Sequence, residues 1–237
     1  MSLRTFISAP GRMTERERLL HLSAAQELKL HAAKHDARLM ITEPEIDIEG
    51  FDFTISSEFE SLYVQSKGTL KKGGKKSWNI RAALLKPSFY NRDLMPDLDG
   101  LKVGGYAIGA TGGVLLHIID EAAAEAGCLQ ISYRYLDIYW LVGVASGVAG
   151  LPLIARQRAL ELLRIIREAD DEESVKLNIT DFAKLRSLSA LANFRLHIGG
   201  LSNWASGCHT HCDLAELRDP DDHFLFWQGV RDLLHLS

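Results

Sequence analysis

Cysteine is scarce in this chain: only Cys128, Cys208 and Cys212 occur in 237 residues. An odd, sparse set excludes a disulfide framework and fits a reducing compartment. The N-terminus has no apolar core of signal-peptide length, so a cytoplasmic location is expected. A large excess of one charge is also missing. The 27 Lys and Arg stand against 31 Asp and Glu, a net charge of −4, which excludes a protein that coats nucleic acid through its overall charge. There is no Gly-x-Ser-x-Gly elbow, and so no support for a serine hydrolase. There is no Gly-Lys-Ser/Thr P-loop, and so no support for an ATP-driven motor.

Long apolar runs are nearly absent as well. The exception is residues 138–155, which carry no charge over 18 positions and hold Gly143 and Gly147 in a GxxxG spacing. That length is the lower limit of a membrane span. Aromatic and β-branched residues, three glycines and Pro152 favour a buried strand over 138–145 followed by a turn. No membrane association is expected.

What is present reads as one α/β assembly of ordinary globular composition, 46% hydrophobic and 24% charged. Thr14-x-x-Glu17 has the form of a capping box, and a helix is expected from there to about His35, with Leu20, Ala24 and Leu28 as its apolar stripe and Glu27 at the edge. Strands are expected over 38–42, 50–56, 62–67, 78–85 and 129–135. A helix is expected over 114–126, with Gly127 as its stop. An amphipathic helix follows over 152–169, then a strand at 176–179 and a helix near 181–194. The expected organisation is a core over 1–155 and a mainly helical extension over 156–237.

Charge is segregated around the strand pair 50–67. Residues 39–60 hold seven acids and no Lys or Arg, whereas residues 61–92 hold eight Lys and Arg and no acid. Side chains alternate faces along a strand. Asp52 therefore points away from Phe51 and Phe53, and Gln65 and Lys67 share a face. A hairpin over Ser57–Ser61 in the same-face register brings Asp52 toward Gln65 and Lys67, while Leu62 and Val64 fill the core. The acidic block would supply metal ligands. Lys71, Lys72, Lys75 and Lys76 would supply phosphate contacts.

Helix with Glu27, then Gly50-Phe51-Asp52, then Val64-Gln65-Ser66-Lys67 resembles the PD-(D/E)XK nuclease superfamily. The match is to its Mrr-like branch, in which Gln replaces the middle acid of the last motif. The resemblance implies a restriction-endonuclease-like fold, a mixed central sheet flanked by helices. It implies an enzyme that cuts DNA phosphodiesters with Mg²⁺ or Mn²⁺, in restriction or phage defence. By that resemblance Asp52 is the main metal ligand, Gln65 takes the second position, Lys67 orients or activates the attacking water and offsets charge on the phosphate, and Glu27 is a direct metal carboxylate or one that supports the metal through another ligand. Gln65 removes one negative charge, which weakens affinity for a hard cation. Glu45, Asp47 or Glu49 could compensate. A homodimer would suit double-strand cleavage.

Two other readings compete. One is a non-catalytic nucleic-acid-binding or interaction protein on the same fold. The other is an NAD(P)-binding oxidoreductase built on Gly109-Ala110-Thr111-Gly112-Gly113. That segment is similar to the Gly-Ala-Thr-Gly turn of short-chain dehydrogenase relatives, with Asp137 placed for a ribose contact. Its third glycine is missing, since Leu115 stands there. Cys208-His209-x-His211-Cys212 holds four metal-competent side chains in five residues. They could bind zinc only with partners such as His197 or His223.

Overall fold

The computed structural model describes residues 2–44, 50–58, 60–86, 112–145, 154–196 and 198. Its centre is a six-stranded mixed sheet of order β1-β2-β3-β5-β6-β8. These strands are β1 (Met40–Thr42), β2 (Phe53–Ser56), β3 (Ser61–Leu70), β5 (Gly112–Ile119), β6 (Ile131–Asp137) and β8 (Ala183–Leu185). Strands β3 and β5 run parallel, and every other pair in this sheet is antiparallel. A two-stranded antiparallel ribbon, β4 (Ser77–Arg81) with β7 (Ser174–Asn178), forms the second sheet. Pairing of β7 with β4 and of β8 with β6 weaves residues beyond 155 into the core.

Register assigns the two faces. Phe53 pairs with Val64 and Ile55 with Leu62, and all four are buried. Continuing across the sheet, Val64 aligns with Gly113 and Asp137, and Gly68 aligns with His117 and Tyr133. The long helix α2 (Met13–Lys34) covers this face through a stripe spaced by four, Leu20, Ala24, Leu28 and Ala32. Leu20 lies over Gly68, and His21 meets Phe53 edge-on at 4.9 Å. Helix α6 (Leu188–Leu196) shares the face, with its Arg195 paired to Asp137. The opposite face carries Gln65, Lys67, Val114, Leu116, Leu136 and Arg134. There Arg134 donates to the Ile179 carbonyl, just after β7. Helix α5 (Arg156–Glu168) is tied to the same ribbon end by Arg158 and Asp181, 3.0 Å apart.

Helix α2, the strand pair and α5 stand where the sequence predicts them. Three other segments correct the expectation. Residues 114–126 are not one helix: they form β5, buried at all eight positions, and then a short helix α3 (Glu121–Glu125). Asp120 makes the break, accepting from the amides of Ala122 and Ala123 as an N-cap. Residues 138–145 are not a strand but helix α4 (Ile138–Ala145), started by the Asp137 carboxylate, which accepts from the Trp140 amide at 2.8 Å. The capping box at Thr14 does not form. A 3-10 turn at Pro10–Arg12 leads straight into α2, so the helix begins before Thr14 and has no side-chain cap. Strand 78–85 ends at Arg81 in a 3-10 turn. The expected helix near 181–194 is instead β8 followed by α6. Among the described residues no helix is long and apolar enough to cross a membrane.

Candidate active site on the open edge of β3

β2 is four residues long and covers only the first part of β3, from Ser61 to Val64. Beyond that point the β2 side of β3 has no strand partner among the described residues. Asp52 stands at the corner where pairing stops. Its amide donates to the Val64 carbonyl at 2.8 Å, and its carboxylate accepts from the Ser66 amide at 2.5 Å. The carboxylate thus takes the place of the next backbone acceptor in the ladder. Gly50, at φ +78°, turns the chain into this corner. That φ strains any other residue, and a Cβ there would press on the Arg81 side chain at 3.2 Å.

The paired register ends at Phe53 opposite Val64. Asp52 meets β3 through the Val64 carbonyl and the Ser66 amide, the residues on either side of Gln65. Gln65 Oε1 is buried and has no hydrogen-bond partner among the described residues. A buried acceptor without a donor costs about 1–3 kcal/mol, and such an atom calls for a water or an ion. Lys67 follows on the same face and lines a cleft of about 510 Å³. The cleft runs along the open edge from Lys67 to Leu70, between the first turns of α2 and the β4 end of the ribbon.

The other predicted residues divide. Glu27 does not join the group. Its carboxylate accepts from the Leu188 amide at 2.8 Å, at the N-terminus of α6, where a negative charge is stabilised. It also lies beside Tyr133, whose hydroxyl is pushed up to about 12, first by burial and then by the Glu27 charge. Tyr133 is on β6, on the face opposite to Gln65 and Lys67. Of the four loop lysines, Lys75 lines the cleft. Lys71 is turned away onto Asp120 at 2.6 Å, which holds the ammonium above its ordinary value and the Asp120 carboxyl below its own. Lys72 and Lys76 are exposed on the turn. Glu45, Asp47 and Glu49 lie outside the described residues.

Sequence reasoning missed Arg16 and Asn79, which also line the cleft. Arg16 lies four residues before Leu20 and so continues the inward stripe of α2 past the end of the apolar core. That spacing was its signal. Nothing local marked Asn79.

The competing glycine motif is placed differently. Gly112 and Gly113 open a strand, so no helix N-terminus follows them to hold a pyrophosphate. Residues 108–111 lie outside the described residues. Gly113 has a packing reason: a Cβ there would overlap the Tyr135 ring, whose hydroxyl donates to Asp137 at 3.1 Å. Asp137 itself is fully buried, accepts from Trp140 and Tyr135, and pairs with Arg195 at 3.1 Å, which leaves it no access to a ribose. The cysteine and histidine cluster at 208–212 lies outside the described residues, as do His197 and His223.

No protein-family model, no curated protein and no solved structure matches this chain.

Proposed function

We propose that the chain is a metal-dependent nuclease that hydrolyses DNA phosphodiester bonds at Asp52, Gln65 and Lys67. The observation that carries this reading is the corner itself. A carboxylate held on the Ser66 amide, an amide oxygen buried without a donor among the described residues, and an ammonium that lines a cleft follow one another along the start of β2 and β3.

The oxygen donors suit Mg²⁺ or Mn²⁺. Such ions are held by one or two carboxylates together with water and substrate phosphate. Asp52 and Gln65 Oε1 would hold the ion, without Glu27. When bound, it polarises the scissile phosphate and makes its water acidic. Asp52 keeps a fixed position through the Ser66 amide, so its charge is oriented before substrate arrives. Lys67 offsets the negative charge that develops on the phosphate oxygens as the water attacks. With Gln at position 65, the resident negative charge is lower than in a two-carboxylate site.

The test is cleavage of supercoiled plasmid in Mg²⁺ or Mn²⁺. The wild type is expected to nick or linearise it, and Lys67→Ala to slow the reaction about 100-fold or more. Unchanged cutting by Lys67→Ala would refute the assignment. A second reading, a nucleic-acid-binding protein that does not cut, draws on one observation: Glu27, the third expected ligand, is committed to α6. Retention of DNA with no cleavage in either metal would favour it. A restriction or defence role and a homodimer remain expectations of the family resemblance alone.

A further inference from the structure

The cleft has two kinds of wall. Arg16, Lys67 and Lys75 supply three cations against the single carboxylate of Glu17. Arg16 is anchored by one nitrogen, which donates to the Ile7 carbonyl at 2.8 Å, so its guanidinium is held in place. Apolar surface is interleaved with these charges: Met13, which is 55% exposed, and the nearly buried Trp78. The floor is the open edge of β3 at Gly68, which is exposed and has no side chain to bar a close approach.

A nucleotide carries both an anion and a flat apolar base. A groove that tracks the phosphates with cations and takes the bases on apolar side chains is how single strands are bound. The cleft, about 510 Å³, is of the size of a small-molecule site. A base inside a duplex is stacked and paired, and reaching an apolar wall would cost its unstacking. The cleft is also walled on both sides, by α2 and by β4, so a paired strand could not follow its partner in.

We infer that this cleft takes a single strand of nucleic acid, with phosphates against Arg16, Lys67 and Lys75 and a base against Met13, and that it excludes a duplex. The inference rests on the nuclease reading for the chemistry, but on the cleft alone for binding. It directs the activity toward single-stranded or unpaired segments, such as flaps and frayed ends, with Asp52 and Gln65 beyond the Lys67 end.

The experiment is fluorescence anisotropy with a labelled oligothymidine of 12 nucleotides (about 12, to exceed one binding site) and a hairpin duplex of equal length. It is run in EDTA so that nothing is cut. The single strand is expected to bind at least about tenfold tighter than the duplex. Arg16→Glu and Lys75→Glu should each weaken it about tenfold. Lys184→Glu, an exposed lysine on β8 at the far edge of the sheet, should leave it unchanged. Circular dichroism confirms that each variant is folded. Equal or tighter duplex binding, no strand binding, or strand binding indifferent to both cleft reversals would overturn the inference. Tight single-strand binding by a protein that cuts nothing supports the cleft and refutes the nuclease reading. Cleavage confined to duplex does the reverse.

Discussion

Asp52 and Asp137 each stand at the end of a strand beside the centre of the same sheet, and their surroundings are opposite. Asp137 is fully buried and saturated: it caps α4, receives the Tyr135 hydroxyl and pairs with Arg195, itself 1% exposed. Asp52 is half-buried, with its carboxylate on the Ser66 amide. Both are aspartates to which the sequence gives a chemical role. The difference teaches that residue type and strand position do not separate a structural carboxylate from a chemical one. The remaining partners and the access do.

The largest expected effect tests the buried member. Asp137→Ala takes the carboxylate from the buried Arg195 and removes a helix cap. It should cost about 3–5 kcal/mol in urea unfolding. A loss below about 1 kcal/mol, the scale of an exposed ion pair, would break the comparison.

These two aspartates also show where the fold was legible. The strand pair and α2 could be read because alternation and the four-residue stripe are local signals. β5 and α4 could not be read, because both are short apolar runs, and such runs carry no periodicity that separates strand from helix. The caps that decide them, Asp120 and Asp137, are single residues at the junctions. Glu27 could not be placed because its position depends on which face α2 covers, and that is fixed by Leu20 over Gly68 and His21 against Phe53. The partner of Asp137 was hidden for the same reason, since Arg195 reaches it only through the packing of α6.

The next effect sharpens the contrast between the two faces. His117 is fully buried beneath α2, against Tyr133 at 5.4 Å, with neither ring nitrogen hydrogen-bonded among the described residues. Burial, and then the nearby His21, push it down to about 3. The unfolded chain therefore binds the proton first as pH falls. Its contribution to stability is whole above about pH 6.5 and is lost progressively toward pH 3. Between pH 6.5 and 5 the loss should be about 2 kcal/mol. His117→Leu should remove that portion of the pH dependence, measured as the difference in urea midpoints across the range. Parallel profiles for the two proteins would contradict it.

The smallest effect falls on the open edge. Gln65→Glu adds the missing carboxylate beside Asp52 and should lower the Mg²⁺ concentration for half-maximal cleavage about fivefold, with stability changed by less than about 1 kcal/mol. A variant that instead requires more Mg²⁺ would place Gln65 outside the metal's reach.

The most direct test of the account is one substitution with two readouts. Asp52→Asn keeps an oxygen for the Ser66 amide and removes only the charge. Cleavage in Mg²⁺ of supercoiled plasmid and of single-stranded DNA, and urea unfolding, are measured on the same preparation. The account predicts cleavage reduced at least about 100-fold and an unfolding free energy within about 1 kcal/mol of wild type. Cleavage that persists, or a protein that loses stability as Asp137→Ala is expected to, would show that Asp52 is a second structural carboxylate and not a site.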